Sequence, residues 1–387
     1  MKKLIIVNNN MHIGGVQKSL VNLLDVIKND YDITLLLFSA RGEYMKDIPA
    51  EVKVIEVNSW YRYLGLIKTD TLTKKERLMR MFFAGISRIT GRKTATAIMS
   101  LPQKDTERYD AAISYLHNPA DKVFYGGCNE FVLKHIIADK KIAFLHCDYS
   151  ACGADTEYNA ALYRKFDVIA ACSEGCKRAF LKCLPELKHK VCVVENCHNY
   201  EQIKMLSEER IEDFSSDFIN IVTVARLGKE KGVLRAVKAV NQLEELKNRV
   251  KYYIVGDGIE RRQIEDYIKD NNLEDVIVLC GEKSNPYPYI KKADIFLISS
   301  ISEAAPMVIG ESAFLGTPIL STRTSSAKEM IEDTGYGWVC DNMIRGIIEK
   351  LHVLIADKGV LTDKREFLKN ISFDSKKIRE MFEYIIS

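Results

Sequence analysis

No apolar run in this 387-residue chain approaches the roughly 20 residues that a membrane-spanning helix requires, which argues against a helical membrane protein. The start, Met1-Lys2-Lys3-Leu4-Ile5-Ile6-Val7-Asn8, is basic, but its apolar stretch is four residues long, too short for an export signal. It reads as a first strand. Among ten cysteines no Cys-x-x-Cys pair occurs, the tightest spacing being Cys172-x-x-x-Cys176. Cys172, Cys192 and Cys280 sit in or beside apolar runs, where a free thiol packs as a small core residue. Reduced thiols and a cytoplasmic location are therefore expected. His and Cys show no zinc-ligand spacing, and the one Asp-x-Asp, Asp30-Tyr31-Asp32, falls in a turn before a strand and reads as solvated. No metal or cofactor is expected.

What is present is the profile of a soluble globular protein, 47% hydrophobic and 28% charged, with a length suited to two domains. Charge is uneven. Residues 1–200 hold 29 Lys+Arg against 22 Asp+Glu, and residues 201–387 hold 27 against 31. The first part thus favours a phosphate or an anionic surface as partner.

The plan of the chain is written twice. Residues 4–7 are all apolar, as in a strand buried on both faces of a parallel sheet. A loop from Asn8 to Gly15 opens on a helix with Val16, Leu20, Leu23, Leu24 and Ile27 at helical spacing, and strands follow at 31–38 and 52–57. In the second part the strand Phe218–Ala225, the loop Arg226–Gly232 and a helix with Val233, Ala236, Val237 and Val240 on one face repeat the device. Strands at 251–255, 276–280 and 294–298 then alternate with helices at 260–270 and 286–292. Such alternation implies βαβ units, so the fold class is α/β with two doubly wound parallel sheets. The boundary is expected near Asn196–Asn199, with the charged stretch 201–216 as connector. Doubly wound domains bind ligands at the carboxyl ends of their strands, here in a cleft between the two.

The strongest signal runs from Ser302 to Ile319. Glu303 follows the strand 294–298 in a loop, and Glu311 lies eight residues later in a helix starting near Pro306. Gly316 and Pro318 then stop that helix. A loop carboxylate accepts hydrogen bonds from sugar hydroxyls, one further down a helix suits a ribose diol, and the helix N-terminus between them attracts a diphosphate. Upstream, Ala225-Arg226-Leu227-Gly228-Lys229-Glu230-Lys231-Gly232 places two cations at a strand end, where they suit the charge growing on a departing nucleoside diphosphate.

These segments resemble the Glu-x7-Glu motif and phosphate loop of the large retaining GT-B family commonly called glycosyltransferase family 4. The likeness covers residues 218–340 well and the rest more loosely. It implies GT-B architecture, two Rossmann-like domains facing a cleft, with domains at 1–198 and 199–371 and a final helix within 372–387 crossing back to the first. It implies a nucleotide-sugar donor, a UDP-sugar, held by Arg226, Lys231, Gly256, Glu303, Ala305, Pro306, Met307, Val308 and Glu311. Where many relatives carry Gly and an aromatic after the first glutamate, this chain has Ala304 and Ala305. In the first part the resemblance places the Gly14-Gly15 loop opposite the diphosphate and His146 at the reacting centre. His117 and Asp148 are expected on the acceptor side, the acceptor being a glycan or lipid-linked sugar. No protein nucleophile is evident, so a front-face displacement is implied, with His146, Arg226, Lys231 and Glu303 as the catalytic set and surface or capsular polysaccharide as the product. Rivals are a GT-B-fold epimerase and a non-catalytic nucleotide-sugar-binding protein.

The insertion 62–96 stands apart. Residues 62–93 hold Arg62, Lys68, Lys74, Lys75, Arg77, Arg80, Arg88, Arg92 and Lys93 against Asp70 and Glu76. Leu78, Met81, Phe82, Gly85 and Ile89 share one helical face. Two readings stand: an amphipathic helix on an anionic membrane at the inner face of the cell membrane, or a helix packed on its own domain. No nucleic-acid-binding motif accompanies the charge.

Overall fold

The computed structural model describes residues 1–67, 69–100, 107–211 and 214–387. Lys68, part of the basic insertion, and Glu212 and Asp213 of the expected connector lie outside the described residues. The chain divides into two compact units, Met1–Cys197 with Ser375–Ser387, and His198–Asp374.

Among the described residues the first unit holds seven parallel strands: β1 (Lys2–Asn8), β2 (Tyr31–Leu37), β3 (Lys53–Glu56), β4 (Arg108–Ser114), β5 (Ile137–Leu145), β6 (Val168–Ala171) and β7 (Val191–Val193). Their order is β3-β2-β1-β4-β5-β6-β7. In β1 the alternating side chains Leu4 and Ile6 face one core and Ile5 and Val7 the other surface, all buried. That two-sided burial is the reason the sequence shows an apolar run instead of alternation. The helix Lys376–Ile386 completes this unit, setting Ile378, Phe382, Ile385 and Ile386 into the same core as Leu4 and Leu24. Arg379 ties it to Asp30 at 2.7 Å.

The second unit has β8 (Ile219–Val224), β9 (Val250–Val255), β10 (Ile277–Gly281), β11 (Ile295–Ile298), β12 (Ile319–Thr322) and β13 (Gly337–Cys340), in the order β10-β9-β8-β11-β12-β13. These strands too are parallel. In each sheet the chain first winds one way and then the other, so two adjacent strands carry connections leaving in opposite directions. That switch point falls between β1 and β4 in the first sheet and between β8 and β11 in the second.

Two segments differ from the sequence reading. The stretch beginning at residue 200 is not a bare connector: Tyr200–Ser207 is a helix capped by Asn199, and its Ile203 is buried in the second core with Tyr287 and Ile290. One apolar residue per turn is enough to seat so short a helix, which is why the composition hides it. In the insertion, the helix Lys74–Thr90 starts at a Thr73–Glu76 capping box and turns Glu76, Phe83 and Ser87 inward. The apolar stripe points the other way. Leu78, Met81, Phe82 and Ile89 are exposed by 56–82%, and a Cβ built on Gly85 would meet nothing within 4 Å.

Candidate functional site

Site geometry follows from the two switch points. In the second sheet the connections after β8 and β11 carry Lys231 and Glu303. The first is closed by Gly232, whose left-handed backbone (φ 61°) lets the chain turn from Lys229–Lys231 into the helix Val233–Asn241. A Cβ there would lie 2.4 Å from the carbonyl oxygen of Ser299, just past β11. This close approach is what brings the two loops together.

Lys231 Nζ and a Glu303 carboxylate oxygen form a tight, half-buried ion pair. Ser300 Oγ donates to the same carboxylate at 2.9 Å, Ser299 Oγ to the Lys231 carbonyl at 3.0 Å, and Ser325 Oγ to the Glu303 carbonyl at 2.8 Å. The pair is thus held by main-chain and hydroxyl contacts from both loops and from the segment after β12.

Ala304, Ala305 and Pro306 lead from Glu303 into the helix Met307–Phe314, which has no side-chain cap. An uncapped N-terminus presents backbone N–H groups to an anion. His198 braces this helix: its Nε2 lies 3.0 Å from the Met307 carbonyl, and a Cβ on Gly310 would meet its ring at 2.7 Å. Glu311, four residues beyond Met307, is buried, with Tyr287 Oη donating to it at 3.5 Å.

Arg226 stands apart from the pair. Its side chain is 74% exposed and bonded to Glu230 at 2.6 Å. The Gly256-Asp257-Gly258 turn braces the same loop, for a Cβ on Gly256 (φ 144°) would fall 1.9 Å from the Ala225 carbonyl oxygen. The structure therefore joins Lys231 to Glu303 directly, leaves Arg226 on the Lys231 loop but out of the pair, and braces that loop with Gly256 from the end of β9.

In the first unit the connections after β1 and β4 flank the corresponding switch point. Gly14 is extended and precedes the helix Gly15–Ile27, and a Cβ on it would meet only the flexible end of Gln17. The chain's own packing makes no demand for glycine there. His117 and His146 lie equally far beyond Ser114 and Ala143, which pair across β4 and β5. The His146 ring stacks on Phe144 and meets Tyr115 at a tilt, and its Nε2 is buried, with no hydrogen-bond partner among the described residues. His117 Nδ1 is in the same condition. Asp148 is turned to its own loop, accepting from Ala151 N at 3.1 Å.

Burial and the neighbouring His117 push the His146 pKa down to about 3, opposed by a hydrogen bond with Asn196. Burial and Arg92 push His117 down to about 4. Both rings are neutral near pH 7, hence hydrogen-bonding groups and not cations. Because the unfolded rings titrate near pH ~6.5, their contribution to stability is complete above that value and is lost as the pH falls toward the folded values. Between pH ~6 and ~4, unfolding should take up about two protons from this pair, one of them missing in His146→Asn. Urea unfolding across that range measures it. A stability that stays flat would mean the rings are more hydrated than the geometry shows.

Sequence reasoning missed His198 and His12. His12 lies in the loop after β1, 2.9 Å from Asp70 and 3.4 Å from Glu43. Their partners are far away in the sequence, so spacing gave no signal. Among the described residues no cluster of His, Cys, Asp and Glu could hold a metal ion, and no helix is long and apolar enough to cross a membrane.

Two doubly wound parallel sheets with a cation and a carboxylate at a switch point define a GT-B-type fold. Its known examples include HepE of Anabaena, solved with UDP and glucose, which matches 99% of this chain and 99% of its own at TM-score 0.68 and 16% identity. Residues 207–372 match the family described as glycosyl transferases group 1. Similar proteins include a putative colanic acid biosynthesis glycosyltransferase, WcaL, of Escherichia coli K12, 32% identical over 142 residues, covering 34% of this chain and 35% of that protein. Another is the N-acetylgalactosamine-N,N'-diacetylbacillosaminyl-diphospho-undecaprenol 4-alpha-N-acetylgalactosaminyltransferase of Campylobacter jejuni, 26% identical over 230 residues, covering 58% of this chain and 61% of that protein. The chain thus spans between a third and three fifths of these two relatives' own lengths.

Proposed function

We propose that this protein is a retaining hexosyltransferase that moves a sugar from a UDP-sugar to a glycan or lipid-linked acceptor in surface or capsular polysaccharide synthesis. The observation that carries the reading is the Lys231–Glu303 pair at the switch point of the group 1 unit. A nucleoside diphosphate leaving group brings negative charge that Lys231, with Arg226 on the same loop, can neutralise as it develops. Glu303 is then free to accept hydrogen bonds from the hydroxyls of the donor sugar. The helix N-terminus at Met307 suits the phosphates and Glu311 the ribose.

In the reaction so written, the bond from the anomeric carbon to the diphosphate oxygen breaks, and the acceptor oxygen bonds the same face. The acceptor proton passes to the leaving phosphate. Neutral His146 contributes a hydrogen bond near the reacting sugar, His117 and Asp148 stand on the acceptor side, and no metal enters any step.

The exposed apolar stripe of Lys74–Thr90, flanked by exposed Lys74, Lys75, Arg77 and Arg88, fits an anionic lipid surface. A lipid-linked acceptor would lie on that surface, and in this reading the protein works at the inner face of the cell membrane.

Thermal unfolding against uridine, guanosine and adenosine diphosphates and their sugars tests the donor. A ligand at 100 times its dissociation constant adds about 2.7 kcal/mol. A rise in Tm is expected with the uridine series alone, unchanged by a chelator and lost in Lys231→Ala. A response to the guanosine series instead would replace the base, and no response to any would leave a protein that does not bind such donors.

A further inference from the structure

In the second sheet β8 and β11 lie side by side, with Lys231 and Glu303 beyond their carboxyl ends and Asn220 and Asp294 at their amino ends. β8 is six residues long, so the two ends are separated by about 20 Å. A cavity of about 460 Å³ opens at the amino ends, within the second unit. That volume is in the range of small-molecule sites.

Three segments wall the cavity: the turn before β8, the residues before β11, and the helix Lys358–Lys369. Asn220, which is buried, shapes the first wall. Its Nδ2 donates to the Ser215 carbonyl at 3.1 Å and to that of Phe218 at 3.4 Å, drawing the turn over the strand ends. Its Oδ1 is buried there with no hydrogen-bond partner among the described residues. An O–H or N–H from an occupant would supply one.

Charge in the lining is one-sided. Lys292, Lys358 and Arg365 face it, against Asp294 as the one carboxylate among the described residues. Asp294 is already engaged, its Oδ2 accepting from Asn220 N at 2.8 Å and its Oδ1 lying 3.9 Å from Arg365. Arg365 also donates to the Ala293 carbonyl, and Lys292 to that of Ile211 at 3.2 Å, which holds both cations at the wall. Three positive charges over one negative leave an excess of two. A phosphate monoester, at about −1.5 to −2 near pH 7, matches that excess better than a carboxylate does. The apolar lining is Phe214, Phe218 and Leu361. Phe214 is fixed by stacking on Tyr253, the centroids 3.9 Å apart and the planes 7° from parallel. Fixed aromatic walls suit a ring.

We propose that this cavity is a second ligand site, which takes a phosphate monoester carried on a ring. The phosphate sits among Lys358, Arg365 and Lys292, and the ring against Phe214 and Phe218. The site lies at the opposite edge of the sheet from the Lys231–Glu303 pair, and nothing in it rests on the proposed transfer reaction.

The full chain carrying Lys231→Ala, so that a donor site contributes nothing, is titrated by calorimetry with adenosine monophosphate and with phenyl phosphate. At least one of the two should bind ten-fold or more tightly than inorganic phosphate, adenosine or phenol, their separate halves. Adding Lys358→Glu should weaken that binding about ten-fold or more, the loss of one charge-assisted hydrogen bond. Lys358 is exposed in the first turn of its helix, where a glutamate suits the helix dipole, so the fold is kept. Adding Thr362→Trp instead, one turn on and also exposed, should fill the cavity and abolish binding. Should that variant misfold, Lys358→Glu decides alone. Binding of neither monoester, binding no tighter than that of the halves, or binding that Lys358→Glu leaves intact would overturn the proposal.

Discussion

Lys231→Ala should lower the turnover of sugar transfer by about 10²–10³-fold, the usual loss when one charge-stabilising group is taken from a developing anion. The ammonium is half-buried and aimed by two contacts, the Glu303 carboxylate and the hydroxyl that holds its backbone carbonyl. A cation so placed needs little reorganisation as the diphosphate departs, so the loss should appear in kcat more than in KM. Glu303→Gln should cost a comparable factor for a different reason. It keeps the volume and a hydrogen-bond acceptor for Ser300, but it removes the charge that orients Lys231 and the strong acceptor for sugar hydroxyls. Since the two residues share one contact, the double variant should lose much less than the product of the single losses. Steady-state rates with a matched donor and acceptor measure all three. Full additivity would mean the pair acts as two independent sites, and wild-type turnover in Lys231→Ala would remove it from the reaction.

The second large effect belongs to the outward face of Lys74–Thr90. Replacing Leu78, Met81, Phe82 and Ile89 together by serine should weaken binding to phosphatidylglycerol vesicles by roughly 10³-fold, at about 1 kcal/mol for each half-inserted apolar side chain. The same variant should change its unfolding midpoint little, because these side chains are already more than half exposed, Phe82 meeting Phe83 edge-on at 5.3 Å. Lys74→Glu with Lys75→Glu should produce a smaller loss that disappears in high salt, the mark of an electrostatic share screened over a Debye length. Sedimentation with anionic and with neutral phosphatidylcholine vesicles separates these contributions. Vesicle binding that survives all the substitutions, or an unfolding midpoint that drops sharply, would return this face to the protein interior.

The strands were legible in the sequence wherever they are buried on two sides. Leu4–Val7, Val168–Ala171 and Ile295–Ile298 are apolar throughout because helices cover both faces of the sheet. Gly228 and Gly232 marked the loop in which Lys231 stands and the end of the run Ile295–Ile298 that of Glu303, so the meeting of those two loops followed from topology. Direction was not legible. The spacing of Leu78, Met81, Phe82 and Ile89 shows that a helix has an apolar face, but packing decides which way the face turns, and Phe83 with Ser87 won the inside position. Contacts remote in sequence were also hidden. His198 meets Met307 and His12 meets Asp70 only after the sheets are assembled.

If the proposed donor binds here, the ion pair between Lys231 and Glu303 carries a thermodynamic cost for it. A diphosphate must draw the ammonium away from a carboxylate that already neutralises it, so the measured affinity is what remains after that exchange. A nucleoside diphosphate without its sugar frees Glu303 but gives it nothing to bind, whereas the complete donor supplies hydroxyls for the released carboxylate. Recognition of the sugar and of the phosphates would therefore be coupled through one contact, and the whole donor should hold better than its two halves imply. Added salt should also weaken donor binding less steeply than the cations on the loop suggest, because one of them enters the encounter with its counter-ion built into the chain.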